Sequence, residues 1–334
     1  MNMKRLTERA FLLSRVCLLA VVVHWAAAAD TQRTQSIPLQ VGWNAVFIEV
    51  EPLDTDPAVV FDGAPVEMVA TYFADRSPVQ FLRDPDEQPW TDSGWSTWYA
   101  PSRPDAFLSK LHAIQANRPY LIKATAAHTL NILGEIKFRR LDWQPNSLNF
   151  VGFHVDPAAP PACEAFFAGS SSHTGQRIYK LVSGRWTLVT NLSGEPLGSG
   201  QAFWVGCAEG SDYQGPLSLT IPVGDTLDFG VQCATQTLGM TNSGTTPLTV
   251  TVTDVGQSLP LVYRVFDLAT GETSYTDLPA TLDMGTVEAG ASVSLALMVK
   301  REAFTQAEHS TVLKIATDNG VLIYLAAKAE KLAE

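Results

Sequence analysis

Trp43-Asn-Ala-Val-Phe-Ile-Glu-Val-Glu-Pro52 lies over Leu148-Asn-Phe-Val-Gly-Phe-His-Val-Asp-Pro157 without a gap. Asn44 and Asn149, Val46 and Val151, Val50 and Val155, and Pro52 and Pro157 coincide at a constant offset, and Glu51 and Asp156 keep the charge. Further on, Phe61-Asp-Gly63 faces Phe167-Ala-Gly169, Tyr72 faces Tyr179, and Asn117-Arg-Pro-Tyr-Leu-Ile-Lys123 faces Gly200-Gln-Ala-Phe-Trp-Val-Gly206. A short alternating strand closes each series, Leu130-Asn-Ile132 and Leu217-Ser-Leu-Thr-Ile221. Matches in one order along the chain mark two copies of one module, 37–138 and 141–222.

Each copy has a legible plan. The opening strand, with Val46 and Ile48 on one face, stops at a proline that cannot continue a ladder. Phe-x-Gly, a Tyr-bearing strand, a Trp-bearing strand (Trp95 and Trp98; Trp186) and an aromatic strand follow. The expected product is a small antiparallel sheet or barrel. The first copy carries an insertion over 76–112, where Trp90, Trp95, Trp98 and Tyr99 fall within ten residues. Clustered aromatics are what a sugar- or peptide-binding platform requires, because flat π-faces stack on apolar ligand faces. These four are therefore the candidate ligand-binding residues; the alternative is that they form the module's own core.

From Asp225 the alternation becomes cleaner. Leu227-Asp-Phe-Gly230, Thr235–Gly244 and Pro247–Thr253 open strands, and Val293, Leu295, Leu297 and Val299 share one face at period 2. Thr311, Leu313 and Ile315 repeat that pattern, and Asn319-Gly320 predicts a hairpin with a type I′ turn. Seven or so strands predict an immunoglobulin-like sandwich over 225–330. The fold expected for the whole chain is mainly β: two related small antiparallel β-modules followed by an immunoglobulin-like β-sandwich.

Two resemblances rest on these residues. The two modules resemble the GWN-type β-modules of secreted bacterial proteins, which start like GWN…P and end like GxGYWV; here Leu148 stands for the Trp of the second copy, and the first copy ends in ANRPYLI. The stretch 225–328 resembles the ASPM–SPD-2–Hydin, or choice-of-anchor, type of immunoglobulin-like domain through LDFG at Leu227–Gly230, Thr241–Val252 and the run from Gly290. The segment Leu261–Pro279 departs from that pattern, being longer and richer in Tyr and Thr. Both resemblances imply surface or secreted modules with structural or interaction roles, and no specific activity.

The N-terminus predicts export. Lys4, Arg5, Arg9 and Arg15 precede an uncharged run from Val16 to Ala29, which ends on Ala26-Ala-Ala-Ala29 with small residues at Ala27 and Ala29, where a signal peptidase reads. That run is shorter than the roughly 18–20 residues needed to span a bilayer. Residues 1–29 are expected to be cleaved, leaving a secreted or periplasmic chain with no membrane span. Cleavage removes four of the 23 basic and one of the 34 acidic residues, leaving 19 against 33 and a net charge of −14. Such a surface repels phosphate backbones, so nucleic acid is not an expected partner. Three cysteines remain, and in an oxidising compartment Cys163 and Cys207, inside one module, are the preferred disulfide pair.

Catalytic chemistry is hard to find in the pattern. His112, His128, His154, His173 and His309 share no metal-ligand spacing, and Gly169-Ser-Ser-Ser-His-Thr-Gly175 breaks the Gly-x-Ser-x-Gly elbow at His173. His154, Cys163 and His173 lie close in sequence, and Asp84, Asp86, Gln88 and Asp92 offer oxygens for an irregular Ca²⁺ site, but Pro89 stands where an EF-hand loop needs Gly. No phosphate-binding or dinucleotide motif is present, and no cofactor is expected. The leading expectation is a non-catalytic binding, adhesion or assembly protein with a protein or cell-surface glycan partner. A carbohydrate-binding protein using the aromatic platform is the alternative, and a hydrolase with an unrecognised site is a further one.

Overall fold

The computed structural model describes residues 31–73, 94–175 and 177–331. The export segment, Trp90 and the four candidate Ca²⁺-binding residues lie outside the described residues. Strand makes up 49% of the described residues and helix 6%, which bears out the mainly β class.

The first copy contains β1 (Gln32–Leu39), β2 (Gly42–Ile48), β3 (Val50–Pro52), β4 (Val66–Tyr72), β5 (Trp95–Tyr99), β6 (Arg118–Ala124) and β7 (His128–Ile136). They form a four-stranded antiparallel sheet, β2-β6-β4-β5, and a three-stranded one, β1-β7-β3. Val46, Ile48, Val69, Trp98, Tyr120 and Ile122 from the first meet Ile37, Leu39, Val50, Leu130 and Ile132 from the second. Pro52 ends β3, and after a short link Asp56 caps the one-turn helix α1 (Pro57–Val60), its Oδ1 accepting from the Ala58 N–H at 2.8 Å.

The second copy repeats the sheet. β8 (Ser147–Gly152), β9 (Ile178–Val182), β10 (Arg185–Leu188) and β11 (Ala202–Cys207) run in the order β8-β11-β9-β10, matching β2-β6-β4-β5, and α2 (Cys163–Phe167) stands where α1 does. Asn44 lies opposite Ile122, and Asn149 opposite Val205. Each asparagine clamps the chain before its strand. Asn44 accepts from Gln40 N at 2.8 Å and donates to Gln40 O at 2.9 Å; Asn149 does the same with Gln144 at 2.7 and 3.1 Å. One correspondence shifts by two residues. Tyr179 stands opposite Trp204 as Ala70 stands opposite Leu121, so Ala70, not Tyr72, is its equivalent, and Trp186 is the equivalent of Trp95. A two-residue slip keeps the same face of a pleated strand, which is why pattern alone does not detect it.

The outer faces of the two four-stranded sheets pack on each other. Trp43, Met68, Tyr72, Trp95 and Leu121 meet Phe150, Trp186, Ala202 and Trp204. Trp204 stacks on Phe150 with ring centroids 5.0 Å apart. Gly152 lets the copies close, because a Cβ there would stand 2.1 Å from Cγ of Phe47.

The remaining strands build a sandwich: β12 (Leu217–Thr220), β13 (Leu227–Asp228), β14 (Thr235–Asn242), β15 (Leu248–Asp254), β16 (Leu261–Phe266), β17 (Thr273–Asp277), β18 (Thr281–Val287), β19 (Ser292–Val299), β20 (Glu308–Thr317) and β21 (Leu322–Glu330). Its two five-stranded sheets are β12-β14-β19-β16-β17 and β13-β21-β20-β15-β18, an immunoglobulin-like β-sandwich. Leu295, Leu297 and Val299 point inward, and so do Leu313 and Ile315. Two expectations are corrected here. Leu217–Thr220 does not close the second copy's sheet but pairs with Gly239–Asn242 of β14. The Asn319-Gly320 turn is not type I′, since Gly320 alone of the two takes a positive φ, +88°. Gly320 N–H donates to Thr317 O and Thr317 N–H to Val321 O, the arrangement of a type I turn closed by a left-handed glycine. That turn ties the sandwich to the second copy. Asp156 N–H donates to Gly320 O at 2.9 Å, and a Cβ on Gly320 would lie 2.1 Å from Ala159 O.

Candidate functional site

The aromatic residues of the insertion do not form a platform among the described residues. Trp95 and Trp98 sit an odd number of positions apart on β5, and the pleat sends them to opposite faces. Trp95, 4% exposed, packs between the two sheets beside Tyr72, Phe150 and Trp204. Trp98, 7% exposed, enters the first copy's core against Phe61, with ring centroids 5.6 Å apart. Tyr99 is half-buried beneath the Arg103 guanidinium. Packing consumes these faces.

Cys163 and Cys207 stand as free, buried thiols rather than a disulfide, and Cys233 is free and exposed. Cys207 Sγ donates to Glu209 O at 2.9 Å, and burial pushes the Cys163 thiol up to about 12. His154 and His173 belong to different networks. His154 Nε2 meets Asn117 Oδ1 at 2.7 Å, and Asn117 Nδ2 donates to Lys137 O, so the amide oxygen faces a protonated Nε2. His173 Nδ1 lies 2.6 Å from Ser170 Oγ, but both residues are buried and the imidazole is enclosed by Trp143 and Phe167. Burial lowers the His173 pKa to about 4. A serine nucleophile needs an orienting group behind its base and room for substrate; the far nitrogen of His173 has neither partner nor access. No group of three metal-ligating side chains converges among the described residues.

The notable concave surface lies elsewhere. A groove of about 1400 Å³ runs between β1 and β2 of the first copy and the β9–β10 turn with residues 195–201 of the second. One wall is an open strand edge. Ile136 N–H donates to Thr31 O, and the antiparallel register then makes Arg33, Gln35, Ile37 and Leu39 the residues bonded to β7. Thr34, Ser36 and Pro38 alternate with them, so Thr34 and Ser36 aim both N–H and C=O away from β7, and Pro38 its C=O. A proline at an outward position costs the ladder nothing, which agrees with that phase.

The base of the groove is polar and fixed. Gln35, 5% exposed, donates to Phe47 O at 2.9 Å and accepts from Glu49 N–H at 2.8 Å. Glu49 pairs with Arg33 and accepts from Ser199 Oγ at 3.3 Å, which joins the two copies beneath the opening. Across the opening Lys180 pairs with Glu195, and Lys123 lies over the Trp43 ring. The second copy already borrows a neighbouring edge. Phe47 N–H donates to Gly200 O at 2.8 Å, and Val46 bridges Gln201. Backbone edge groups, a few apolar side chains and balanced charges suit an extended peptide better than a reacting small molecule. Sequence reasoning missed this groove; Pro38 inside an otherwise alternating strand was the available signal of an edge.

No family model matches the chain, and no curated protein matches it. Among solved structures it is similar to the ASH/PapD-like domain of human CEP192, at 10% identity and a TM-score of 0.23 over 36% of this chain and 87% of that one. It is also similar to the class 5 fimbriae chaperone CfaA, at 10% identity and a TM-score of 0.22 over 35% of this chain and 57% of that one. A third likeness is to the CsuC–CsuE chaperone–tip adhesion subunit pre-assembly complex of Acinetobacter baumannii, at 13% identity and a TM-score of 0.21 over 34% of this chain and 57% of that one.

Proposed function

We infer that this chain is an exported, non-catalytic binding or assembly protein, and that the groove takes an extended segment of a protein partner by strand addition to β1. The open edge at Thr34, Ser36 and Pro38, set inside a concavity rather than on a convex rim, carries this reading. Proteins usually blunt a free edge with charge, a bulge or a covering loop, because it pairs with any passing strand. Here Pro38 blunts one position, Thr34 and Ser36 keep their outward groups, and the facing wall limits what reaches them. Export is supported by the basic, apolar and small-residue order of residues 1–29.

Fluorescence anisotropy of a library of labelled eight-residue peptides tests the binding reading. Wild-type chain is expected to bind a subset, and Ser36→Pro, which removes one outward N–H and no backbone bond to β7, though it loses the side-chain bond from Ser36 Oγ to Asn131 Oδ1, is expected to weaken that binding at least tenfold. Equal binding by the variant rejects the groove. Export is checked by the mass of the chain recovered outside the cytoplasm of a bacterial host, which is expected to begin at Asp30.

A further inference from the structure

A second cavity, independent of the groove, lies where the three modules meet. It encloses about 50 Å³ between β2 of the first copy, the 138–141 link, the end of β8 with α2 of the second copy, and β12 and β21 of the sandwich. Its walls are mostly apolar, with Phe47, Phe153, Phe166, Leu219, Val321 and Ile323 among them. Gly152, which also lines it, has no side chain to fill it. A water-sized group needs about 10–15 Å³, so the cavity has room for about four. The polar groups of the lining divide in two. Asn117 uses its amide on His154 and on Lys137 O, and Gln214 uses its own on both backbone groups of Leu141. His154 has its remaining ring nitrogen 4.0 Å from Glu49, a carboxylate that Arg33 balances. Arg139 and Arg140 differ. Both are exposed, and neither forms an ion pair among the described residues; Arg140 makes one hydrogen bond, to Leu219 O at 3.3 Å, and Arg139 makes none. A guanidinium donates and never accepts, so the bonding capacity left at this cavity is for an acceptor. Two adjacent unpaired positive charges favour an anionic one.

We propose that this cavity binds a short-chain monocarboxylate, with its alkyl tail against the apolar walls and its carboxylate on Arg139 and Arg140. The volume suits a tail of about three carbons, as in butyrate. The carboxylate is planar and matches the guanidinium fork with two parallel hydrogen bonds. A second charge on the tail would be buried without a partner, so dicarboxylates and amino acids are excluded. A ligand this small is expected to bind with a Kd of about 0.1–1 mM. Because the walls come from all three modules, a bound tail touches each of them and stabilises the assembled chain.

Isothermal titration of the mature chain with sodium acetate, butyrate and octanoate at fixed ionic strength tests this, with the urea denaturation midpoint as a second readout. Butyrate is expected to bind at one site and to raise the midpoint. Acetate is expected to bind at least tenfold more weakly, and octanoate no better than butyrate, because the cavity has no room for the added carbons. Butan-1-ol, which has the same chain without the charge, is expected to bind at least tenfold more weakly, and butylamine not at all. Arg139→Gln with Arg140→Gln is expected to weaken butyrate binding at least tenfold while changing the midpoint of the free chain little, since both residues are exposed. Ile323→Phe fills the cavity and is expected to abolish binding; Val321→Ile takes its place if the ring disturbs folding. Neither heat nor a midpoint shift with any acid at millimolar concentration means a packing void only, and overturns the proposal. Binding that survives the arginine changes, that persists in the filled cavity, or that butan-1-ol matches overturns it as well.

Discussion

Phe47 lies directly on Gly152, so close that a Cβ at position 152 would stand 2.3 Å from Cβ of Phe47 and 2.1 Å from its ring. The obstacle is the root of a side chain only 2% exposed, which has little room to swing away. Gly152 needs no unusual backbone angle, so its role here is steric. Gly152→Ala is therefore expected to lower stability by about 1–3 kcal/mol, the usual cost of forcing extra volume into a packed core. A urea denaturation midpoint measures it, and an unchanged midpoint means that the copies are not packed this closely.

The two asparagine clamps predict unequal losses from the same substitution. Asn149 is 6% exposed and holds Gln144 at both backbone groups, whereas Asn44 is half-buried and its partner Gln40 is exposed. A buried backbone group left unpaired costs about 1–3 kcal/mol, and one that water can reach costs much less. Asn149→Ala is expected to destabilise more than Asn44→Ala by about 1 kcal/mol or more. Equal effects in the same denaturation experiment reject the burial argument.

Trp95 and Trp98 are expected to behave as core residues. Truncating either to Ala should cost about 3–5 kcal/mol, as for other large buried aromatics. A glycan array with the folded chain is expected to show no signal that depends on them. Retained stability with loss of a glycan signal in either variant restores the platform reading.

Much of the fold follows from period-2 alternation and from the paired positions Asn44/Asn149 and Pro52/Pro157, because both signals are local. The misassigned features depend on what lies across the sheet. Leu217–Thr220 alternates equally well in either sheet, and only the facing strand, Gly239–Asn242, decides where it goes. The aromatic cluster is dense in sequence, yet the pleat divides Trp95 from Trp98 and each finds a different core. The groove was the least legible part, since its open wall is backbone, which residue identity does not encode, and its other wall comes from a copy more than a hundred residues away. Pro38 was its one local trace.

Thiol counting separates the free-cysteine structure from the disulfide that the sequence favoured. Native protein is expected to react at one site, Cys233, because Cys163 and Cys207 are buried and burial raises both thiols above their ordinary pKa. After denaturation of the mature chain without reductant, its three thiols should react. A count of one in both states means that Cys163 and Cys207 are joined.

Acid stability depends in part on two imidazoles, the buried His173 and the half-buried His154. Burial lowers both His154 and His173 from the ordinary 6.5, His173 to about 4, with Glu49 partly opposing the shift at His154 and Arg33 adding to it. A folded state that binds fewer protons than the unfolded chain gains stability as pH rises. These histidines therefore favour folding fully above about pH 6.5, and that contribution falls as pH drops through the window toward about 4. The upper part of the window, above roughly pH 5, is the informative part, because most carboxylates are still ionised there. His173→Asn keeps a polar group near Ser170 Oγ and cannot titrate, so its stability is expected to change less between pH 7 and pH 5 than that of the wild type. His154→Gln is expected to act in the same direction, with a further sign that locates it: protonated His154 places a donor at Nδ1, 4.0 Å from Glu49 Oε2, and so competes with Arg33 for that carboxylate. Parallel slopes for wild type and both variants over that range mean that neither imidazole is held neutral by the fold.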